Sequence, residues 1–292
     1  MSLGPHLLLA LMEGTVAAFV LALTALGLAL VFGVMRIVNV AHGEFFMLGA
    51  VLAWACAHLI GNAALGFLVA AIVSPIIVGG VALAIDRLIL RRFNYQPEAT
   101  IVATIGLLYI IQQLVLVFYG PEARSVEPPI DFRIQLPWFG YSGYKLVVAG
   151  ISALLLLATW YGIARTKLGL VMRATQFDSE TAQAFGIPVT RVYAAVFALG
   201  AMLAAIAGVL IVPIKPAYYL MGLDPLLLSF IVVIIGGLGS LRGAIIAAFV
   251  IGISDGMMSV FFAPNLSKIL ATLLVALVLV FRPEGLFAAR AR

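Results

Sequence analysis

The sequence predicts an all-α fold, a polytopic transmembrane helical bundle, and three observations carry that prediction. Of 292 residues, 64% are hydrophobic and only 10% are charged, where soluble domains carry about 45–50% and about 25%. The mean hydropathy is +1.21. Apolar runs recur along the chain at close to the length of one membrane crossing. A helix rising 1.5 Å per residue needs roughly 20 residues to cross a hydrocarbon core of about 30 Å. A water-soluble fold of this size cannot bury so much apolar surface. A soluble enzyme, a nucleic-acid-binding domain and a disordered protein are excluded on that ground.

The runs follow in order: Gly14–Met35, Glu44–Ile60, Leu65–Leu88, Ile101–Tyr119, Leu146–Ala164 and Val192–Val212. Pro225–Phe262 is one apolar stretch broken by Gly236-Gly237-Leu238-Gly239-Ser240. Ile269–Phe281 is short and must borrow Asn265–Lys268, or thin the bilayer, to reach across. Eight or nine spans result. The ambiguity sits in the glycine-broken region, which is a re-entrant segment if it does not cross.

Basic residues set the orientation, because cytoplasmic loops are enriched in Lys and Arg. One set of junctions holds Arg36, Arg87, Arg91, Arg92, Arg165, Lys167, Arg173, Arg191, Arg242, Arg282, Arg290 and Arg292, which is 12 of 17 basic residues. The other holds Arg124, Arg133, Lys145, Lys215 and Lys268. The first set is expected inside, with the N-terminus outside and the C-terminus inside. The net charge of +5 is then a topology signal. No basic region precedes the first apolar stretch, so a cleaved signal peptide is not expected. The chain reads as one transmembrane domain over 1–292. It has an extracytoplasmic loop at 120–144, which Pro121, Pro128, Pro129 and Pro137 should keep irregular, and a cytoplasmic loop at 165–190.

Four segments carry more than hydropathy. Asn39, His42 and Glu44 cluster between two apolar runs, where unsatisfied polar groups are costly. They mark either a cytoplasmic connection, with Asn39 capping and Glu44 in the first turn of the next helix, or a re-entrant turn that lines a cavity and acts as a gate. His42 and Glu44 are two apart and do not share a helical face, so a metal site is not expected. In the run Gly169–Pro188, Asp178, Ala182 and Gly186 are spaced by four. That spacing draws one small-residue helical face headed by a charge, ended by Gly186-Ile187-Pro188. It suits either docking into another protein's groove or an ordinary amphipathic loop helix.

The third segment, Gly236-Gly237-Leu238-Gly239-Ser240, breaks a helix and permits close backbone approach, by small-residue packing or by lining a cavity. It lacks the Gly-Lys-Ser/Thr of a phosphate loop. The fourth, Phe281-Arg282-Pro283-Glu284-Gly285-Leu286-Phe287, ends a span. Glu13, Asp86 and Asp255 are the other acids near or within spans, and intramembrane acids are functional candidates. They are few for an ion-coupled carrier. The lone Cys56 sits in an apolar run and reads as packing.

At these residues the sequence resembles the permease subunits of ABC importers for branched-chain amino acids. The matching segments are Asn39-Val40-Ala41-His42-Gly43-Glu44, Thr104-Ile105-Gly106-Leu107-Leu108 with Gln112-Gln113, the run Gly169 to Ile187, Gly236–Ser240, and Phe281-Arg282-Pro283 with Gly285. They span nearly the whole chain. Arg242 departs from the proline often found there. The resemblance implies a bacterial or archaeal inner-membrane subunit that moves substrate by alternating access and is not itself an enzyme. It implies a second homologous permease, two cytoplasmic ATPases holding ATP and Mg, and an extracytoplasmic binding protein, with no cofactor on this chain. Arg173, Asp178, Ala182 and Gly186 would couple to the ATPase. Asn39, His42, Glu44, Gly236, Gly237 and Gly239 would line the pathway or its gate. The alternative class is a stand-alone channel for a small neutral solute such as urea.

Overall fold

The computed structural model describes residues 3–262, with Leu266 and Leu273 beyond them. The expected last span and the Phe281–Phe287 segment, together with Lys268, Arg282, Arg290 and Arg292, lie outside the described residues, Leu273 apart.

One 3-10 turn at Leu90–Phe93, one short hairpin and ten α-helices are the regular elements of the described residues. They are α1 (Leu3–Met35), α2 (His42–Ile60), α3 (Ala63–Leu88), α4 (Pro97–Tyr119), α5 (Gly143–Arg165), α6 (Lys167–Phe177), α7 (Ser179–Ala184), α8 (Val189–Ile211), α9 (Leu223–Gly236) and α10 (Leu241–Phe261). Seven of them are long and apolar enough to cross a membrane. Six match the expected spans within a few residues at most ends. The exception is α1, which begins 11 residues before the apolar run read from Gly14. The glycine-broken stretch is two elements. α9 has 14 residues and covers only about 21 Å, while α10 is full length.

α8 runs through the middle, packed against α1, α2 and α3, and α1 also lies along α10. Small residues permit this. A Cβ on Gly27 would stand 2.5 Å from the Gly200 carbonyl oxygen, and one on Gly14 would stand 2.8 Å from Ile253 Cα. Close backbone approach of this kind is how helices associate where lipid removes the hydrophobic driving force. On the outside of the bundle, Leu65, Leu68, Ile72 and Ile76 form an exposed apolar stripe on α3, as a lipid- or protein-covered face requires.

The contacts sort the loops into two ends. At one end Arg91 pairs with Asp86 at 3.2 Å, Tyr95 donates to Asp86 at 3.1 Å and stacks edge-on with Tyr193. Asp86 is thus held in a structural ion pair. Arg36 and Gln176 lie at this end too. At the opposite end Lys145 pairs with Glu13 at 2.6 Å. There Arg124 lies over the rings of Trp54 and Tyr119, and its backbone pairs with Ala217. The loop at 120–144 is less irregular than its prolines suggest: Arg133–Gln135 and Gly140–Ser142 form an antiparallel hairpin, β1 and β2. Pairing fits around Pro137 because that residue lies in the turn.

Candidate functional site

The connection between α1 and α2 folds back into the bundle. Arg36 adopts φ 55° and ends α1, a left-handed geometry uncommon outside glycine. Residues 37–40 then run without regular structure to His42. His42 Nε2 bonds the carbonyl of Thr24 at 2.9 Å. Thr24 lies eleven residues before Met35 on α1, about 16 Å along the axis. α2 therefore starts well inside the bundle, and the cluster is a re-entrant turn rather than a surface connection.

Asn39, His42 and Glu44 are fully buried. Asn39 Oδ1 accepts from Ala41 N at 3.1 Å, outside the helix, so it shapes the turn and does not cap α2. Two side chains of α4 brace the turn. Thr104 Oγ1 accepts from Val40 N at 3.1 Å, and Gln112 Nε2 donates to Glu44 Oε1 at 2.9 Å. Asn39 Nδ2, His42 Nδ1 and Glu44 Oε2 have no protein partner. Unpaired buried polar atoms are rare in native folds and cost about 1–3 kcal/mol each.

α9 also starts inside. The Gly222 carbonyl abuts Gly43 so closely that neither position tolerates a Cβ. The glycine turn between α9 and α10 lies at the arginine-rich end. Gly237 and Gly239 take φ 91° and 82°, Gly236 packs directly on Gly243, and Ser240 caps α10 by accepting from Gly243 N at 3.1 Å. Gly239 touches Gly33 of α1 and accepts from Gln176 Nε2 at 3.2 Å. Asn39–Glu44 and Gly236–Gly239 are therefore not one constellation. They occupy different depths.

The 165–190 segment is two helices, α6 and α7, which meet at Asp178. Asp178 breaks them and caps α7, accepting from Glu180 N and Thr181 N at 3.0 and 3.1 Å and from the Thr181 hydroxyl at 2.5 Å. The Thr181 hydroxyl, with nearby Arg36, holds the Asp178 carboxyl below the usual carboxylate range. Ala182 is buried, and Gly186, at φ 82°, lies beyond the helix end. The short helix headed by Asp178 and stopped at Gly186 is the one the spacing drew. Arg173 bonds the Ile163 carbonyl and fastens α6 to the end of α5. The most exposed large apolar side chains of this segment are Phe177 and Phe185, 88% and 83% exposed, ahead of Leu168 and Leu170. Sequence reasoning passed over both, although aromatic residues flanking a polar helix were a readable sign.

Two cavities open at opposite ends. One, of about 320 Å³, lies along α1 from Glu13 to Thr24. The other, of about 410 Å³, lies between Ala29, Gly33, Trp160, Arg173, Gln176 and Gly239.

A bundle of long apolar helices, entered from both ends and interrupted by two helices that begin in its interior, defines a multi-pass membrane transport protein. The chain belongs to the family described as branched-chain amino acid transport system / permease component, which it matches over residues 10–279. It is 26% identical to the high-affinity branched-chain amino acid transport system permease protein BraD of Pseudomonas aeruginosa, over 96% of this chain and 95% of that one. It is 28% identical to LivH of Escherichia coli K12, over 91% and 90%. The probable LivH of Methanocaldococcus jannaschii is 27% identical, over 94% and 91%.

Proposed function

We propose that this chain is one membrane-spanning subunit of an ABC importer for branched-chain or related amino acids in a bacterial or archaeal cytoplasmic membrane. Its arginine-rich end faces the cytoplasm. A second permease subunit completes the pathway, two ATPase subunits bind ATP and Mg, and an extracytoplasmic binding protein delivers substrate.

The observation that carries the coupling half of this reading is the wiring of Gln176. It sits in the last turn of α6, next to exposed Phe177. Its side chain reaches the Gly239 turn, and its carbonyl accepts from Arg36 Nη2 at 3.4 Å, where the α1–α2 turn begins. An ATPase gripping Phe177 and Phe185 would pull on α6. That pull reaches both the glycine turn and the re-entrant turn through direct bonds. The re-entrant turn suits a two-state gate, since its unpaired Asn39, His42 and Glu44 atoms can gain partners in a second arrangement. Affinity-purifying the tagged chain from gently solubilised membranes tests the assembly. Recovery of two ATPases and a second permease supports it. Recovery of this chain alone, in detergent that preserves control complexes, turns the reading to a stand-alone channel.

A further inference from the structure

The cavity at the opposite end has a composition the coupling argument does not use. Glu13, Val16, Ala17, Val20, Leu21 and Thr24 line it from α1. Their spacing of three, one, three, one and three places them on one helical stripe, which spans about 16 Å. The cavity is therefore a funnel that reaches from the end of the bundle to the level of the re-entrant turn. Thr24, deepest on this stripe, is the residue whose carbonyl holds His42.

Its charges are mixed in sign. Lys145 and Lys215 line it beside Glu13, Asp224 and Asp255, while Leu228 and Ile251 add apolar wall. Gly256 packs on Gly14, which puts neighbouring Asp255 at the level of the Glu13–Lys145 pair. Both side chains of that pair, 2.6 Å apart, stay partly exposed, which leaves each within reach of a ligand in the cavity. Pockets of this volume with a few placed polar groups are ordinary small-molecule sites. A purely apolar solute would not match these charged groups, and a simple anion would meet three carboxylates.

We propose that this cavity is a transient receiving site for a zwitterionic α-amino acid with an aliphatic side chain. Its carboxylate faces Lys145 and Lys215, its ammonium faces Glu13 and Asp255, and its side chain enters the Val16–Leu21 wall. This rests on the importer reading for its substrate class.

The test is cysteine protection in membranes carrying the full chain, in a Cys56→Ser background. Ala17→Cys and Val20→Cys are labelled with a small charged methanethiosulfonate, with Glu122→Cys in the outer loop as control. Leucine should slow labelling at both cavity positions at least fivefold and leave the control unchanged. 4-Methylpentanoate, lacking the amine, and 3-methylbutylamine, lacking the carboxylate, should each slow it less than twofold. Lys145→Met should remove leucine protection while preserving the unprotected labelling rate, which a merely structural lysine would not do. Equal labelling with and without leucine overturns the site, as does protection of equal size by either half-molecule. So does failure of both cavity positions to label in protein that reaches the membrane. Scoring co-purified ATPases from the same membranes separates the two ideas. ATPases without protection overturn the site alone, and protection without ATPases overturns the importer reading alone.

Discussion

Gln176 of α6 donates from Nε2 to the carbonyl of Gly239 at 3.2 Å. This bond ties a surface helix pair to the turn between α9 and α10, 63 residues further along the chain. Gln176→Leu removes the donor and leaves the helix propensity unchanged. A typical intramolecular hydrogen bond contributes about 1 kcal/mol, so coupled uptake should fall about fivefold. ATP hydrolysis by the assembly should persist. Uptake and hydrolysis measured side by side check this, and a parallel loss of both would place Gln176 in assembly instead.

Phe177 and Phe185 stand almost wholly outside the fold. Replacing both by Ser should leave the thermal midpoint of the purified chain within a degree or two, since neither packs inside. Recovery of ATPase in co-purification should drop at least tenfold, as loss of aromatic anchors does at interfaces. Unchanged recovery would remove them from the docking surface.

Asp178 acts as a cap whose carboxyl is held low by Thr181 and Arg36. A group depressed in the folded state stabilises above its ordinary value, and that contribution fades as pH falls through the lowered one. α7 should therefore stay protected from hydrogen exchange at neutral pH and lose protection only in acid. Thr181→Val removes the largest cause, so loss should begin at higher pH in that variant. Asp178→Asn should keep the helix start and Asp178→Ala should fray it.

Gln112→Leu strands Glu44 inside the bundle. Leaving a buried polar group unpaired costs about 1–3 kcal/mol, so the thermal midpoint should fall by a few degrees. Glu44→Gln keeps an acceptor for Gln112 and should be milder than Glu44→Leu. Thermal denaturation of the three purified variants in one detergent ranks them.

Gly27→Leu should be the most damaging single change of this set. The Gly200 carbonyl leaves no room even for a methyl group, and overpacking costs about 1–3 kcal/mol or more. Reduced membrane yield, with Gly150→Leu as an exposed control, checks it.

Much of the bundle was legible because hydropathy writes helix length directly into sequence. The arginine-rich end was legible too, since Arg36, Arg91 and Arg242 each follow or precede a span. Depth was not. The Asn39–Glu44 turn reads as a surface connection or a re-entrant one from composition alone, and only the His42–Thr24 bond puts it inside. The short Asp178–Gly186 helix was legible from its cap and its glycine stop, but its facing was not: Ala182 is buried while Phe177 and Phe185 stand outside. Gln112 was visible as part of a resemblance, but its pairing with Glu44 across 68 residues is a tertiary fact that no local pattern encodes.

The most direct test of the coupling account is leucine uptake by the purified assembly in proteoliposomes, with the binding protein on one side and ATP with Mg on the ATPase side. The account predicts accumulation above equilibrium that requires ATP and collapses in the Phe177→Ser/Phe185→Ser variant. Equilibration of a small neutral solute such as urea through this chain alone, indifferent to ATP, would contradict it.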